Sequence, residues 1–425
     1  MFDNLNSWLK YIETIHPLGI DMGLDRLLHV KDLLDVKFNC PVITVGGTNG
    51  KGSTCAYLES IFLEAGLNVG LHISPEILKF NERARINSAE ISDDALIKGF
   101  EYIEKARLST SPSISLTYFE FTTLAILYIF SKLKLDVVVL EVGLGGRLDA
   151  MNAIDNDCSI ITSVDLDHMN YLGNTRELIG YEKAGIFRKK APAICAEPNP
   201  PKSVIQYASL IQADLRLVNK DFSFKIFESN WHWKGREMEI HDIPFPKLTG
   251  EHQLRNASAA LACVETLRNR LSISHENLRK GIANAYIPGR FQIISNKPTI
   301  ILDVGHNPHA TKSLAINLLK NGSYTKTHAI IGMMADKDIK GTIDPLVQII
   351  DEWHCVDLPS PRGAKGSQIS EIVSISLTQN NLYKNINTHN SAKSGYSTVL
   401  KKIKEDERLI IFGSFVTVAN ILEIL

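Results

Sequence analysis

The stretch VITVGGTNGKGS, residues 42–53, passes from β-branched residues through a run of glycines to a lysine and a serine. Residues 41–45 have the composition of a buried strand, and residues 53–65 have helical periodicity. Glycines let backbone N–H groups turn toward a phosphate, and the N-terminus of a helix adds a partial positive charge. The stretch therefore predicts a strand, a phosphate-binding loop and a helix, in that order.

The loop does not follow the usual G-x-x-x-x-G-K-[ST] spacing, because Val45 stands at the first glycine position and Gly52 separates the lysine from the serine. An ordinary glycine turn that caps a helix is the alternative, but a lysine in such a turn has little structural purpose. We expect Lys51 to supply a charge for the β- and γ-phosphates of ATP and Ser53 to supply a hydroxyl group. The predicted ATP-binding residues of the loop are Thr48, Asn49, Gly50, Lys51, Gly52 and Ser53.

Short apolar runs alternate with helical stretches along the chain. The segments DVVVLEV (136–142) and SIITSV (159–164) are β-branched runs typical of central parallel strands. We interpret the stretch 215–250, which is rich in aromatic residues, as a small antiparallel sheet of the first domain. The alternation predicts an α/β fold with a mainly parallel sheet.

A second α/β series begins near residue 291, after the turn residues Ile287, Pro288 and Gly289. We therefore expect two domains, residues 1–287 and residues 288–425. In the second domain we predict one helix and three strands, at 310–320 and at 299–304, 329–333 and 408–412.

The composition, with 44% apolar and 22% charged residues among 425, is typical of a soluble globular protein. The formal net charge of -1 gives no general attraction to nucleic acid or to anionic membranes, so we expect neither as a partner. The six cysteines form no CxxC pair, and scattered thiols suit a reducing compartment. Residues 1–16 contain no signal-peptide core, and no apolar run approaches the length of a membrane span. We expect a cytoplasmic protein.

Further motifs accompany the phosphate loop. In chain order they are LDRL (24–27), GTNGKGS (47–53), SPEILKFNERARIN (74–87), SLTYFEF (115–121), LEVGLGGRLDAMN (140–152), DHMNYLG (167–173), EKAGIFR (182–188), PGRFQI (288–293), DVGHNPHA (303–310) and GSFVTVA (413–419). Over nearly the whole chain these motifs resemble the bifunctional dihydrofolate synthase/folylpolyglutamate synthase family of the Mur ligase superfamily. The resemblance implies an N-terminal P-loop-type ATPase domain, with a mainly parallel sheet plus a small antiparallel sheet, and a smaller C-terminal Rossmann-like α/β domain. Residues 1–287 would bind ATP and a pterin, and residues 288–425 would form the glutamate ligase domain.

The resemblance also implies an activity. It is the ATP-dependent ligation of L-glutamate to 7,8-dihydropteroate, giving dihydrofolate, and to tetrahydrofolates, through an acyl phosphate. Folylpolyglutamate synthase activity alone is the alternative, and the likeness of residues 16–26 to a dihydropteroate-binding segment favours two activities. A peptidoglycan Mur ligase lacks support because no UDP-sugar domain is recognisable, and a regulator without chemistry should have lost its metal ligands. By the same resemblance we expect a monomer.

ATP chemistry of this kind needs Mg²⁺ to neutralise phosphate charge. The resemblance assigns Ser74, Glu141 and His168 to Mg²⁺, with two ion sites, and Glu141 does end a predicted strand, where open α/β sheets place their sites. Taken alone, Glu141 could cap a turn, His168 could be an ordinary loop histidine and Ser74 could precede a helix at Pro75. The resemblance also implies that Lys183 is carbamylated by CO₂, although a solvated lysine on a helix is the alternative.

The remaining predicted residues bind the acceptor, the nucleotide and glutamate. Asp149 could hydrogen-bond an amino-pyrimidinone edge, and Phe119 could stack on a pterin ring or simply pack in the core. The resemblance implies a pterin- and folate-binding set of Asp21, Gly23, Leu24, Thr117, Phe119, Asp149 and Ala150. It places Asn256, Arg290 and Asp303 on ATP and Ser414 on glutamate, and it gives a catalytic set of Lys51, Lys183 and His306. Arg290 as a surface arginine and Asp303 as a helix cap are the alternatives.

Overall fold

An eight-stranded sheet forms the centre of the N-terminal part of the structure, which is a computed structural model describing residues 2–425. Its strands are β1 (Val42–Gly46), β2 (Val69–His72), β3 (Ala84–Ile86), β4 (Ala89–Glu90), β5 (Val137–Glu141), β6 (Cys158–Ile161), β7 (Pro192–Cys195) and β8 (Asp214–Leu217). They lie in the order β4-β3-β2-β5-β1-β6-β7-β8, and the pairs β2–β3 and β3–β4 are antiparallel while the others are parallel. The predicted mainly parallel sheet is confirmed.

The central strands are buried along their whole length, as their β-branched sequences predict. Strand β1 lies between β5 and β6, with Val45 opposite Glu141 and Gly46 opposite Ile161. Because the strands are parallel, their carboxyl ends meet at one edge of the sheet. The glycine-rich loop and Glu141 therefore lie at the same edge.

Helices cover both faces of this sheet. They are α1 (Leu5–Ile15), α2 (Asp25–Leu33), α3 (Lys51–Glu64), α4 (Asp93–Leu108), α5 (Tyr118–Ser131), α6 (Met169–Leu172), α7 (Arg176–Ala184), α8 (Lys202–Ile211), α9 (Glu251–Leu267) and α10 (His275–Asn284), with short 3-10 turns at Phe80–Arg83 and Ala150–Ala153. Helix α5 is apolar on nearly every face and packs in the centre of a large core that also includes Trp8, Phe100 and Val138. A helix of this composition is stable only when it is buried on most sides.

A small antiparallel sheet is formed by β9 (Ser223–Ile226), β10 (Asn230–Lys234) and β11 (Glu239–Pro244). Trp231 and Trp233, two residues apart on β10, point to the same face and are fully buried. The prediction of a small antiparallel sheet in this stretch is confirmed.

The C-terminal part contains a second sheet, in the order β12-β13-β17-β14-β15-β16, in which β12 is the antiparallel edge strand. Its strands are β12 (Gln292–Asn296), β13 (Thr299–Leu302), β14 (Thr327–Ile331), β15 (Glu352–Val356), β16 (Asn385–His389) and β17 (Arg408–Phe412). Its helices are α11 (Pro308–Lys320), α12 (Ile339–Ile343), α13 (Gly366–Gln379), α14 (Ala392–Leu400) and α15 (Phe415–Leu422), with a 3-10 turn at Asp344–Leu346. The predicted C-terminal α/β domain is confirmed.

The chain divides into two compact units. The N-terminal unit comprises residues up to 247 and residues 253–286, and the C-terminal unit comprises residues 248–252 and 287–425. The division falls one residue before the boundary expected from the Pro-Gly turn. The short segment 248–252 joins the C-terminal unit, where the Asn317 side chain donates a hydrogen bond to the Thr249 carbonyl at 3.2 Å.

The six cysteines are free thiols, and five of them are buried. Every helix in residues 2–425 is too short or too polar to span a lipid bilayer.

Candidate active site

The phosphate loop has a backbone that only glycine accommodates at two positions. Gly47 and Gly50 have φ angles of 146° and 88°. A Cβ atom at Gly47 would lie 1.9 Å from Thr162 Oγ1, and one at Gly50 would lie 2.5 Å from Asn256 Oδ1. Glycine suits both positions because it tolerates these φ angles and because it leaves room for the neighbouring segments.

The loop is held from the segment that follows β6. The Thr48 N–H donates to the Ser163 carbonyl at 2.8 Å, and the Asn49 N–H donates to Ser163 Oγ at 3.0 Å. The Thr162 hydroxyl donates to the Asn49 carbonyl at 2.7 Å, and the Thr48 hydroxyl donates to the Asp165 carbonyl at 3.1 Å. These bonds fix the shape of the loop, and a loop of fixed shape is the preorganisation that anion binding requires.

Lys51 is the first residue of α3, and its ammonium group folds back over the loop. Its Nζ donates to the carbonyls of Gly47 at 3.2 Å and Thr48 at 3.4 Å. Ser53, one turn into the helix, is buried, and its Oγ accepts a hydrogen bond from Gln253 Nε2 at 3.2 Å. The loop thus presents a positive charge and the N-terminus of α3 at the carboxyl edge of the sheet.

Glu141 is buried at the end of β5, directly beside the loop-bearing strand. One carboxylate oxygen, Oε2, accepts a hydrogen bond from the Ser74 backbone N–H at 3.1 Å. No helix begins at Pro75, so the alternative of Ser74 as an N-cap is wrong. The predicted metal ligands Ser74 and Glu141 are neighbours.

His168 precedes the short helix α6 in the left-handed conformation, with a φ of 51°. Its backbone N–H donates to Asp167 Oδ1 at 2.8 Å, and its imidazole is 35% exposed. Asp167 is the more buried of the two side chains, at 10% exposed. This segment follows β6, so it extends the same carboxyl edge that carries Glu141.

Lys183 is buried on α7, at 3% exposed, so the alternative of a solvated helical lysine is wrong. The pKa of Lys183 is lowered to about 7, first by burial and then by the positive charge of Lys51, while Asp167 and Asp149 act in the opposite direction. Burial is the main cause of this low pKa. A neutral amine at this position is able to act as a nucleophile.

Close backbone contacts hold α7 against the loop that follows β5. A Cβ atom at Gly146 would lie 2.8 Å from the Glu182 carbonyl, and one at Gly185 would lie 2.4 Å from Arg147 Cβ. The Arg147 N–H donates to the Glu182 carbonyl at 2.7 Å. These glycines let the two backbones meet and bring Lys183 to the site.

Asp149 lies in this loop, and its carboxylate accepts hydrogen bonds from backbone N–H groups of the same loop. Its Oδ2 accepts from the Leu144 N–H at 2.8 Å and its Oδ1 accepts from the Met151 N–H at 3.0 Å. Burial raises the pKa of Asp149 to about 6, although these hydrogen bonds and Lys51 act in the opposite direction. Asp149 therefore stabilises the conformation of the loop. Its contact with a pterin stays a prediction.

Thr117 and Phe119 lie at the start of α5. Thr117 is the N-cap residue and forms a capping box with Glu120, with hydrogen bonds of 3.2 and 2.8 Å. The Phe119 ring lies against Gly143, where a Cβ atom would be 2.5 Å from its Cζ, and it packs near Leu27 and Ala150. Phe119 is half-buried, so part of its side chain is accessible for stacking on a flat ligand.

The segment around Asp21, Gly23 and Leu24 is held by Arg26. The guanidinium of Arg26 donates to Asp21 Oδ2 at 2.6 Å and to Glu120 Oε1 at 3.1 Å, so this segment is joined to α5. The structure therefore brings the N-terminal and α5 parts of the predicted acceptor set together.

Four predicted residues belong to the C-terminal unit, near the carboxyl ends of β13 and β17. The Arg290 guanidinium lies over the Phe415 ring at 5.2 Å, and the His306 ring centroid is 6.0 Å from that of Phe415. His306 Nδ1 lies 2.9 Å from the Val304 carbonyl and donates a hydrogen bond to it. Arg290 and His306 thus flank one aromatic ring.

Asp303 and Ser414 accept backbone hydrogen bonds at the same carboxyl edge of the C-terminal sheet. Asp303 accepts hydrogen bonds from the Phe291 N–H at 2.9 Å and the Gly305 N–H at 2.7 Å, and burial raises its pKa. Asn307 is the N-cap of α11, so Asp303 is not that cap. Ser414 is the buried N-cap of α15 and accepts from the Thr417 N–H at 2.9 Å.

Sequence reasoning missed residues that act through their neighbours. The Gln253 side chain donates to Ser53 Oγ and accepts from Asn256 Nδ2 at 3.1 Å. Through Gln253, helix α9 therefore contacts the first turn of α3 and orients Asn256, which is predicted to bind the nucleotide. The i, i+3 spacing of Gln253 and Asn256 on a small-residue helix was the available signal. For Phe415 and Ser163, no signal in the sequence indicated the partner.

Comparison with known proteins identifies the family. Residues 45–264 match the Mur ligase middle domain, and residues 289–415 match the Mur ligase glutamate ligase domain. A dihydrofolate synthase/folylpolyglutamate synthase of Haemophilus influenzae is 41% identical over 98% of this chain and 96% of its own length.

Solved structures agree with these matches. The structure of Escherichia coli FolC in complex with DHPP and ADP is 39% identical and superposes with a TM-score of 0.93, covering 99% of this chain and 97% of that one. A bifunctional folylpolyglutamate synthase/dihydrofolate synthase with Mn, AMPPNP and L-glutamate bound is 40% identical, with a TM-score of 0.90 and coverage of 99% and 98%. The chain belongs to the dihydrofolate synthase/folylpolyglutamate synthase family of ATP-dependent Mur ligases.

Proposed function

We propose that this chain ligates L-glutamate to 7,8-dihydropteroate, giving dihydrofolate, and to tetrahydrofolates, giving polyglutamates, with ATP as co-substrate. The observation that carries the proposal is the convergence, at one edge of the N-terminal sheet, of a preorganised phosphate loop, the buried carboxylate of Glu141 and the buried amine of Lys183. Relatives with these activities in their names match nearly the whole chain, and two related structures of Escherichia coli FolC hold ADP.

The residues near the loop fit a divalent cation. Glu141 offers a carboxylate that is already fixed by the Ser74 N–H, and His168 follows on the adjacent loop together with the carboxylate of Asp167. Oxygen-rich sets of this kind suit Mg²⁺, and we propose that Ser74, Glu141 and His168 hold it. When bound, Mg²⁺ would neutralise charge on the β- and γ-phosphates of ATP.

We propose that Lys183 reacts with CO₂ and serves a second Mg²⁺ site. Its neutral nitrogen would form a C–N bond to CO₂ and lose a proton to solvent, which converts an amine into a carboxylate. The buried position and the pKa near 7 support this step, because a protonated lysine has no lone pair for the attack.

The reaction needs an activated carboxylate, since a carboxylate is a poor electrophile. The acceptor carboxylate attacks the γ-phosphorus of ATP, giving an acyl phosphate and ADP. The α-amine of glutamate then attacks the acyl carbon, and phosphate leaves the tetrahedral intermediate. Lys51 and the N–H groups of residues 48–53 would bind the transferred phosphoryl group, as charge stabilisation and positioning dominate such reactions.

The roles proposed for the other predicted residues come from the family resemblance. Asn256, ordered by Gln253, would contact the nucleotide. By the family resemblance, Arg290 and Asp303 of the C-terminal unit are also proposed to bind ATP. His306, whose Nδ1 donates a hydrogen bond to the Val304 carbonyl, would take the proton of the attacking amine. Ser414 would bind glutamate.

The acceptor set is proposed to lie around α5 and the loop after β5. It comprises Asp21, Gly23, Leu24, Thr117, Phe119, Asp149 and Ala150. The Arg26 bridge from Asp21 to Glu120 supports this grouping, because it joins the N-terminal segment to the helix that carries Phe119.

The test is phosphate release from ATP with Mg²⁺ and glutamate, comparing 7,8-dihydropteroate with tetrahydrofolate. Turnover with both acceptors supports the two activities. Turnover with tetrahydrofolate alone supports folylpolyglutamate synthase activity only, and turnover with neither would overturn the proposal. An Arg26→Lys variant, which keeps charge but loses the forked bridge, should alter the KM for dihydropteroate and leave the KM for ATP unchanged.

A further inference from the structure

A buried polar cluster lies on one face of the C-terminal sheet. His328 is on β14, and Glu352 and His354 are on β15, with His328 directly opposite Glu352 in the register. All three side chains are almost inaccessible to solvent. They lie toward the amino ends of the parallel strands, whereas Asp303 and His306 follow the carboxyl end of β13. The cluster is therefore at the opposite edge from the residues assigned to the ligase reaction.

The three side chains converge on a small volume. Glu352 Oε2 is 3.7 Å from His328 Nδ1, and Glu352 Oε1 is 3.3 Å from His354 Nε2. One ligand atom from each residue lies within 4.8 Å of the other two. An ion bound tetrahedrally through bonds of about 2.0–2.1 Å separates its ligands by roughly 3.3 Å, so small side-chain shifts would bring the set to that spacing.

Glu407 fixes the orientation of the His328 ring. His328 Nε2 is 3.1 Å from Glu407 Oε2. Burial acts to raise the pKa of Glu407, but the Lys404 N–H and His328 hold it below its ordinary value, so the carboxylate accepts and Nε2 donates. The lone pair of the neutral ring is then on Nδ1, which faces Glu352. A carboxylate on the far nitrogen is the usual outer partner of a metal-binding histidine.

His354 has a similar outer partner. Its Nδ1 is 2.9 Å from His389 Nε2, and the two rings stack with centroids 5.1 Å apart. Within residues 2–425, neither His328 Nδ1 nor His354 Nε2 has a hydrogen-bond partner. Burial lowers the pKa of both rings, that of His354 to about 4.

We propose that His328 Nδ1, His354 Nε2 and the Glu352 carboxylate bind one divalent transition-metal ion of the zinc class. Two imidazole nitrogens and one carboxylate oxygen suit Zn²⁺ and its neighbours, whereas Mg²⁺ prefers an octahedral set of oxygens. The ion would join β14 to β15 and supply the electropositive partner that the two buried ring nitrogens lack.

Two lysines compete with the ion for Glu352. Lys326 Nζ donates to Glu352 Oε2 at 2.6 Å, and Lys402 donates to Oε1 together with Asn387 Nδ2 at 3.1 Å. The lysine side chains are 33% and 42% exposed, so both are able to turn into solvent when the carboxylate binds a cation. The site would thus exchange two ammonium partners for one metal ion.

The first test uses the unmodified full-length chain, stripped of metal by a chelator and crystallised with Zn²⁺. Anomalous difference density at the zinc edge should lie between His328 and His354. Zinc found only at the exposed His232–His241 pair, where the two Nδ1 atoms are 3.1 Å apart, or only near Glu141, would overturn the proposal.

The second test uses Co²⁺ as a spectroscopic probe and Zn²⁺ as a stabiliser in solution. His354→Gln should lose the Co²⁺ ligand-field absorption and the rise in Tm on adding Zn²⁺, while the matched variant His241→Gln keeps both. Circular dichroism of the metal-free variants verifies folding. Equal signals from the two variants would place the ion elsewhere.

Two further variants separate a metal site from a purely structural charge network. Lys326→Met removes a competitor of the ion and should strengthen Zn²⁺ binding, whereas a charge network would only be destabilised. Glu407→Gln weakens the outer partner of His328 and should reduce Zn²⁺ affinity roughly 10- to 100-fold. No gain in affinity for Lys326→Met and no loss for Glu407→Gln would contradict the assignment.

Discussion

At the scale of single residues, the site combines two lysines with opposite surroundings. Lys51 is half-buried on its own loop, where its charge is compensated by backbone carbonyls. Lys183 is fully enclosed and has a pKa near 7. The difference suits a fixed phosphate-binding charge in one case and a reactive amine in the other.

Lys51→Ala should reduce kcat by roughly 10²- to 10³-fold, the usual loss when one group that stabilises transition-state charge is removed. Its Nζ donates to the loop carbonyls of Gly47 and Thr48, so we expect little change in Tm. Phosphate release and thermal unfolding measure the two effects. Lys220→Ala, at an exposed position, is the control, and near-normal turnover of Lys51→Ala would remove the residue from the mechanism.

Lys183 should show carbamate formation that increases as pH rises through about 7. Its folded pKa lies below the ordinary 10.5, so the buried charge destabilises the fold fully below about pH 7, and this cost is relieved between about pH 7 and 10.5. With ¹³C-labelled bicarbonate, NMR should detect a carbamate carbon that Lys183→Met lacks and that the exposed control Lys189→Arg retains. The same signal in Lys183→Met would assign the carbamate to another amine.

At the scale of elements, the phosphate loop is shaped by what packs against it. Strand β1 supplies a rigid base, helix α3 supplies the N–H groups, and α9 and the segment after β6 supply the side chains that hold the loop. Gly50 connects loop and helix at the point where Asn256 makes its closest approach.

Gly50→Ala and Gly66→Ala form a matched pair, because both glycines have left-handed φ angles, at opposite ends of α3. A Cβ atom at Gly66 meets nothing within 4 Å, so Gly66→Ala should cost only the backbone strain of roughly 1–2 kcal/mol. Gly50→Ala adds a collision with Asn256 and should also weaken ADP binding. Urea unfolding and ADP titration measure these effects, and equal behaviour of the two variants would contradict the packing argument.

At the scale of the whole molecule, two units carry different parts of the predicted chemistry. The N-terminal unit holds the phosphate loop, the predicted Mg²⁺ ligands and the predicted acceptor set. The C-terminal unit holds Arg290, Asp303, His306 and Ser414 at one edge of its sheet and the proposed zinc-class site at the other.

ADP with Mg²⁺ should slow amide hydrogen exchange in α3 and α9, because these helices border the phosphate loop. At about 100 times the Kd, the ligand adds roughly 2.7 kcal/mol to the stability of the state that binds it. Mass spectrometry of peptic fragments measures the change, with β10 and β11 as an internal reference that should not respond. Unchanged exchange in α3 would show that the nucleotide binds elsewhere.

The sequence by itself determined the fold class and indicated the candidate site. Buried parallel strands need β-branched runs such as that of β5, and a phosphate loop needs glycines at left-handed positions, so both leave local signatures. The small antiparallel sheet followed from the aromatic residues of β10 in the same way. The family was recognisable because several of its motifs, such as GTNGKGS and LEVGLGGRLDAMN, lie at strand ends and in loops near the candidate site.

Only the tertiary structure decided the environment of each side chain. Burial of Lys183 depends on α7 meeting the loop after β5, and the use of both Asp149 oxygens by backbone N–H groups depends on the fold of that loop. The His328, Glu352 and His354 cluster joins residues up to 26 positions apart that share no local pattern. Contacts between distant segments set pKa values and ligand geometry, and no local periodicity records them.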